Sequence, residues 1–239
     1  MKLALECRTE LLEMVQPFAD FDFVLAHEVL QNDEYAEYYK NSDREKIVDN
    51  SVNEDGEPIS IEDLKQAFEL VGGTMVVSPD WLGNSKRTLE AYLECISTFR
   101  AERVVGVVQG STFEEAFKCA AVYKGSIAVP YDICSKKTDS PLLMGLRRSL
   151  VVCNLPSDKL IHLLGFACLD EFIFYQNRPN VWSIDTGIPI LLGLEGKDIL
   201  DPLESKKEPT YNQMLGKKLT QNEWTGIIRN IALLRKYLP

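Results

Sequence analysis

Short runs of apolar, mostly β-branched residues recur along the whole chain. Runs with the length of β-strands lie at 2–7, 22–29, 46–50, 74–79, 103–110, 126–131, 159–166 and 182–185. Continuous apolar runs of this kind predict strands that are buried on both faces, as in a parallel sheet covered by helices.

Segments with helical periodicity lie between most of these runs. The helix predicted over 85–100 would present on one face Leu89, Leu93, Ile96 and Phe99. The last helix would bury Ile227, Ile228, Ile231 and Leu234. Pairs that suit a helix start are Ser60 with Asp63, Ser111 with Glu114, and Thr220 with Glu223.

The alternation of strands and helices predicts an α/β fold. A repeat of roughly 30 residues is that of a βαβ unit, and eight such units suggest a (β/α)8 TIM barrel. We expect one domain over 1–239, with 195–219 as a long loop before the C-terminal helix. A doubly wound open parallel sheet is the alternative, although no GxGxxG follows the first strand.

Charge limits how the chain could contact nucleic acid. The formal net charge is −10 over 239 residues, so phosphates would have to meet a local basic surface or a partner. Residues 136–148 provide one, with Lys136, Lys137, Arg147 and Arg148 against Asp139. These side chains could follow a nucleic-acid backbone, or they could belong to a solvated helix start.

The six cysteines are scattered and include no CxxC pair, which argues against a zinc knuckle and a disulfide scaffold. Buried thiols in a reducing compartment are the expectation. The N-terminal apolar stretch is too short for a signal peptide, and no run is long enough to cross a bilayer. The sequence therefore predicts a cytoplasmic protein without membrane contact.

In a (β/α)8 barrel the C-terminal strand ends carry the chemistry. Polar residues follow the predicted third, fourth, fifth and eighth strands, at Asp49, Asp80, Gln109 and Asp185. Each could instead be a cap or turn residue, since helix starts favour Asp and Asn. Asp185 in "VWSIDTGIPI" either caps the following turn or acts chemically at the barrel mouth.

Five motifs in order resemble those of the tRNA-guanine transglycosylase (queuine tRNA-ribosyltransferase) family. They are "KIVDNS" (46–51), "VVSPDW" (76–81), "GVVQGSTFEEA" (106–116), "IHLLGFACLDEF" (161–172) and "WSIDTGIP" (182–189). The resemblance is closest to short, phage-type relatives that act on DNA and lack the zinc subdomain. It implies a pentosyltransferase that exchanges guanine for a 7-deazaguanine.

The resemblance also implies roles for single residues. Asp185 would be the nucleophile at C1′, and Asp49 would be the general acid and base. The residues that would bind the base are Asp80, Gln109, Gly110, Val129 and Pro130. His162 falls where the family has an aromatic residue, and we give it no chemical role because a histidine on an apolar strand is usually a hydrogen-bonded core residue.

Departures from the family shape the remaining expectations. The family's cysteine cluster and distal histidine are missing, so no zinc and no other cofactor is expected. Asn50, Ser51 and Val52 replace the glycines that follow the family's first aspartate, and Gly187 stands near the position of an expected arginine. The implied partners are DNA or tRNA, a free 7-deazaguanine such as a preQ-type base, and a partner subunit or a second copy in a homodimer.

The chemistry can be stated from the residues alone. A carboxylate below the sugar can stabilise oxocarbenium-like charge and form a covalent intermediate, while a second carboxyl manages the proton of the leaving base. Base exchange through an aspartyl-glycosyl intermediate is the leading hypothesis. An N-glycosidase that uses water as the acceptor and a non-catalytic subunit that presents nucleic acid are the alternatives.

Overall fold

Eight parallel strands form one nearly closed, barrel-shaped sheet in the computed structural model, which describes residues 1–136, 139–201, 211 and 219–239. The strands are β1 (Lys2–Leu5), β2 (Asp22–Leu25), β3 (Lys46–Asp49), β4 (Met75–Val77), β5 (Val104–Val107), β6 (Ile127–Pro130), β7 (Ile161–Leu164) and β8 (Val181–Thr186). Their order is β1-β8-β7-β6-β5-β4-β3-β2. The pairing of the first strand with the last confirms the predicted (β/α)8 barrel over the open sheet.

Strands β1 and β2 are the two ends of the strand order and share no ladder of backbone hydrogen bonds, but Asp20 links them. The Asp20 N–H donates to the Leu3 carbonyl at 2.7 Å, and the Leu3 N–H donates to Asp20 Oδ2 at 2.8 Å. Arg235 of the last helix donates to both Asp20 carboxylate oxygens at 3.1 Å. Asp20 therefore connects the barrel's remaining edge to the C-terminal helix.

Helices surround the sheet. The α-helices of the described residues are α1 (Leu12–Val15), α2 (Ala26–Gln31), α3 (Asp33–Lys40), α4 (Val52–Asp55), α5 (Ile61–Val71), α6 (Ser85–Phe99), α7 (Phe113–Val122), α8 (Pro141–Asn154), α9 (Ile188–Leu194) and α10 (Gln221–Tyr237). Short 3-10 helices lie at Thr9–Leu11, Gln16–Phe18, Ala101–Arg103 and Leu169–Phe174.

Local hydrogen bonds set where these helices begin. The Ser60 side chain accepts from the Asp63 N–H, as predicted, and Thr220 with Glu223 forms a full capping box. The box predicted at Ser111 is wrong by one residue, because Thr112 and Glu115 form it. Ser111 is occupied elsewhere, since its hydroxyl donates to the Gly83 carbonyl at 3.0 Å.

The predicted buried face of α6 is correct in part, since Phe99 is buried and Leu89 and Ile96 are half-buried against the core. Leu93 is 56% exposed, and the buried side chains of this helix are Thr88, Ala91, Tyr92, Cys95 and Phe99. Tyr92, which the prediction left off this face, packs edge-on against Tyr123 with ring centroids 4.5 Å apart. In α10, Ile227, Ile231 and Leu234 are buried as predicted, whereas Ile228 is half-buried.

Five of the six cysteines are buried, and Cys153 is exposed. Of the loop predicted at 195–219, residues 202–210 and 212–218 lie outside the described residues. Among the helices that the structure describes, none is both long enough and apolar enough to cross a membrane.

Candidate active site

A cavity of about 270 Å³ opens at the C-terminal ends of the strands. Its wall carries six acidic residues: Glu6, Asp49, Glu54, Asp80, Asp132 and Asp185. Among the described residues that line it there is no lysine, arginine or histidine. The cavity is thus strongly anionic, and burial of several carboxyl groups together must raise the pKa of some of them.

Asp185 lies at the end of β8 and is almost fully buried. Its Oδ1 lies 3.0 Å from His162 Nε2 and accepts the Gly165 N–H at 3.1 Å. It does not cap the next helix, because Gly187 is the N-cap of α9 and Thr186 Oγ1 accepts the Ile188 N–H. Of the two roles left open by the sequence, the cap is therefore wrong.

Asp49 ends β3, and the turn that follows it is unusual. Its Oδ2 accepts the N–H of Ser51 at 2.8 Å, and Ser51 has a left-handed backbone with φ of 62°. Ser51 Oγ accepts the His27 N–H at 3.2 Å, which helps to hold this conformation. Burial raises the pKa of Asp49 well above its ordinary value, and the charges of Glu54, Asp185 and Asp80 raise it further. Asp49 is accordingly a carboxyl that holds its proton to a higher pH than an exposed aspartate does, which suits a general acid.

Asp80 follows β4 and receives one donor on each oxygen. Asn50 Nδ2 donates to Oδ1 at 2.9 Å, and Gln109 Nε2 donates to Oδ2 at 2.7 Å. Burial raises the pKa of Asp80 to about 6, against the lowering effect of these two bonds, and the charge of Asp132 adds to the rise. The two amides orient the carboxylate toward the cavity.

Gln109 lies behind Asp80 and is not part of the cavity wall. Its Oε1 accepts the Gly83 N–H at 3.0 Å, so both ends of the amide are engaged. The expected direct contact of Gln109 with a purine is therefore replaced by support of Asp80.

The other predicted base-binding residues are divided between the wall and the core. Pro130 lines the cavity, whereas Val129 is fully buried and does not. Gly110 packs against the start of α7, where a Cβ would lie 2.7 Å from the Ala116 nitrogen. Gly110 thus allows the turn after β5 to pack closely against α7, and it does not form part of the cavity wall.

The predicted basic set does not form one surface. Arg148 is fully buried and forms a salt bridge with Glu171, and its guanidinium also donates to the carbonyls of Leu164 and Gly165. The proposed phosphate contact of Arg148 is therefore wrong. Arg147 pairs with Asp139 at 3.0 Å, Lys136 is exposed, and Lys137 lies outside the described residues.

Several residues of the site were not expected from the sequence. Glu6 directly follows β1 and so occupies a strand-end position that the same rule could have found. Phe166 lines the cavity after β7, but an aromatic residue there carries no distinct sequence signal. The contact of His162 with Asp185 depends on the register of β7 against β8, which the sequence does not reveal.

Potential metal ligands are not grouped in the part of the chain that the structure describes. Across these residues, no set of three or more His, Cys, Asp or Glu side chains is arranged to hold a metal ion. Asp49, Asp80 and Asp185 each accept hydrogen bonds from protein N–H groups instead.

No family model and no curated protein matches the chain. The resemblance to tRNA-guanine transglycosylases therefore rests on the five motifs, and the chemistry of the site has to be argued from its geometry.

Proposed function

We propose that this protein is a base-exchange glycosyltransferase that replaces guanine in nucleic acid by a 7-deazaguanine, with phage-type DNA as the expected substrate. One observation carries the proposal. Asp49, Asp80 and Asp185 extend from the ends of three different strands into one cavity, and each has a different hydrogen-bonding environment. Different environments give chemically similar groups different roles.

Asp185 would act as the nucleophile. Its carboxylate attacks C1′ of the target nucleoside, the bond from C1′ to the base nitrogen breaks, and an aspartyl-glycosyl ester forms. The incoming base then attacks the same carbon, the ester bond breaks, and the carboxylate is released. Two displacements on one carbon retain the configuration of the sugar, as in retaining glycosidases.

Asp49 would manage the proton. Burial and the nearby carboxyl charges raise its pKa well above the ordinary value and so favour its protonated form, which can give a proton to the base as that base departs with the bonding electron pair. The resulting carboxylate then takes the proton from the ring nitrogen of the incoming base. The cycle returns Asp49 to its starting state, and no other reactant is needed.

Asp80 would read the base edge. Guanine and 7-deazaguanine both present a ring N–H and an exocyclic amine, which are donors that suit one carboxylate. Asn50 and Gln109 use one acceptor site on each oxygen of Asp80 and leave further lone pairs for the base. A base with acceptors at these positions would be repelled.

The charge and size of the cavity favour one flipped-out nucleoside. Six carboxyl groups disfavour a phosphate inside the cavity, so the sugar-phosphate backbone has to remain outside it. A volume of about 270 Å³ lies at the lower end of ligand pockets. The target base would therefore have to leave the stack to reach Asp185.

Incubation with radiolabelled guanine and either DNA or tRNA tests the proposal. We expect label to enter one of the two polymers and a covalent protein–nucleic-acid adduct to survive denaturation. Asp185→Asn should abolish both, by at least about a thousandfold in rate. Asp158→Asn, an exposed carboxylate away from the cavity, is the matched control and should change neither.

Two results would contradict the proposal. An adduct that persists in Asp185→Asn would remove Asp185 from the nucleophile role. Release of free base without incorporation of label would instead identify a nucleic-acid N-glycosidase that uses water at the same site.

A further inference from the structure

A buried chain of hydrogen bonds runs from Ser183 through His162 to Asp185. Ser183 and Asp185 lie two residues apart on β8, and His162 is paired with Ser183 across the β7–β8 register. His162 Nδ1 lies 2.7 Å from Ser183 Oγ, and Nε2 lies 3.0 Å from Asp185 Oδ1. His162 and Ser183 are completely buried, so water does not compete for these bonds.

The direction of the protons follows from the hydroxyl of Ser183. Among the described residues, the hydrogen-bond partner of this hydroxyl is His162 Nδ1. A buried O–H needs an acceptor, and the lone pair of an unprotonated Nδ1 provides one. The ring hydrogen then belongs on Nε2, where it faces a carboxylate oxygen that can only accept.

We propose that Ser183 holds His162 as the neutral Nε2–H tautomer, and that this N–H positions Asp185 for reaction through its other oxygen. Oδ1 receives two donors, His162 Nε2–H and the Gly165 N–H. No described residue donates to Oδ2. Oδ2 is therefore the oxygen that attacks C1′, an assignment that rests on the proposed function.

The packing around the imidazole supports a positioning role. The Phe23 ring stacks on it with centroids 5.5 Å apart and an angle of 22°, and Phe21 meets its edge at 6.1 Å. These rings hold the plane of the imidazole, and the contacts with Ser183 and Asp185 place Nε2 toward Asp185. His162 itself does not line the cavity, so it acts through Asp185 and not on the substrate.

Nitrogen NMR of protein labelled with ¹⁵N in the histidine rings tests the tautomer without any substrate. The chain has two histidines, so His27→Gln or His162→Gln assigns the signals. We expect one ring with a protonated Nε2 and an unprotonated Nδ1, and a mixture of tautomers for that ring in Ser183→Ala. A doubly protonated ring or an Nδ1–H tautomer in the wild-type protein would overturn the proposal.

Guanine exchange then tests the effect on Asp185, with labelled guanine and the polymer that accepts it. His162→Phe keeps a planar ring without the N–H, and we expect kcat to fall at least about tenfold with little change in the KM for guanine. His162→Gln can present an amide N–H near the position of Nε2 and should recover most of the loss. Equal kcat for His162→Phe and the wild type would overturn the positioning role.

The two proposals fail separately. If the wild-type protein incorporates no guanine, the exchange reaction is wrong, and the ring spectrum still decides whether Ser183 and His162 present an N–H to Asp185.

Discussion

The side-chain amide of Gln109 joins Asp80 to the backbone of the β4–α6 loop. Its Nε2 donates to Asp80 Oδ2 at 2.7 Å, and its Oε1 accepts the Gly83 N–H at 3.0 Å. The backbone N–H of Gly83 can only donate a hydrogen bond, so the oxygen of the Gln109 amide must face Gly83. The NH₂ group of the amide therefore faces Asp80. Gln109 thereby makes Asp80 a fixed acceptor for the cavity.

Replacement of Gln109 by glutamate is expected to weaken binding of guanine. Glutamate would place an acceptor against Asp80 Oδ2, and two buried carboxylates at this distance cannot both ionise. A proton shared between them would remove the acceptor that reads the base edge. We expect the Kd for guanine to rise about tenfold or more, measured by titration calorimetry.

Gln66→Glu is the control for this change, since Gln66 is exposed on α5 and the same charge is added far from Asp80. Unchanged guanine affinity in Gln109→Glu would show that Asp80 does not depend on its neighbour for base binding.

The sequence predicted the barrel well because its signals are local and repeated. Each buried strand reads as an apolar run, and Thr220 with Glu223 marks a helix start within four residues. The convergence of Asp49, Asp80 and Asp185 followed from the fold, since parallel strands bring their C-terminal ends to one side.

What the sequence could not predict depends on tertiary register and side-chain direction. A basic residue near the start of an amphipathic helix is predicted to be exposed, yet the Arg148 side chain points inward. It binds Glu171, which lies 23 residues further along the chain. The contact of His162 with Asp185 requires the offset of β7 against β8. The burial of Tyr92 in α6 accompanies its edge-on contact with Tyr123, a residue outside the helix that no local pattern identifies.

Substitution of Gly165 by alanine is expected to destabilise the fold and slow any reaction of Asp185. Gly165 has φ of 67°, and a Cβ there would lie 3.0 Å from Cδ1 of Tyr131. The left-handed backbone and the contact together should cost about 2–4 kcal/mol of unfolding free energy. Displacement of the Gly165 N–H would also remove a donor from Asp185 Oδ1.

Gly72→Ala separates the two causes. Gly72 has φ of 66°, and a Cβ added there would meet no heavy atom within 4 Å, so only the backbone cost of about 1 kcal/mol applies. Urea unfolding measures both variants, and equal losses would show that the contact with Tyr131 is unimportant.

The buried aspartates should make stability depend on pH in a characteristic direction. The pKa of Asp80 is about 6 in the folded protein against an ordinary 3.8, so the folded state binds the proton more tightly. The stabilising contribution is complete below about pH 4 and is lost as pH rises through about 6, a change of about 3 kcal/mol. Asp49, whose pKa is also raised, adds a loss of the same sign.

Asp49→Asn should remove the part of this pH-dependent loss of stability that comes from the Asp49 carboxyl. The amide oxygen can still accept the Ser51 N–H, while the buried carboxyl beside Glu54 can no longer ionise. We therefore expect the unfolding free energy of the variant, relative to that of the wild type, to increase as pH rises. Urea unfolding between about pH 4 and 8 measures this difference. Asp158→Asn, exposed to solvent, should run parallel to the wild type, and a parallel curve for Asp49→Asn would contradict the raised pKa.

The buried pair of Arg148 and Glu171 gives the last prediction. Arg148 Nε donates to Glu171 Oε2 at 2.9 Å, and its guanidinium also donates to the carbonyls of Leu164 and Gly165 at 3.0 and 2.8 Å. Arg148→Met would leave Glu171 as an uncompensated buried charge, which costs about 3–5 kcal/mol of unfolding free energy.

Arg147→Met is the matched control, because Arg147 is adjacent and one-quarter exposed, and its buried partner Asp139 also accepts the Lys136 N–H at 2.9 Å. Its loss of stability should be smaller than that of Arg148→Met. We expect Arg147→Met to weaken DNA or tRNA binding and a folded Arg148→Met/Glu171→Gln double variant to leave that binding unchanged. This result would show that Arg147 contacts the nucleic acid and that Arg148 only supports the fold. Weaker polymer binding in the double variant alone would instead return Arg148 to the nucleic-acid interface.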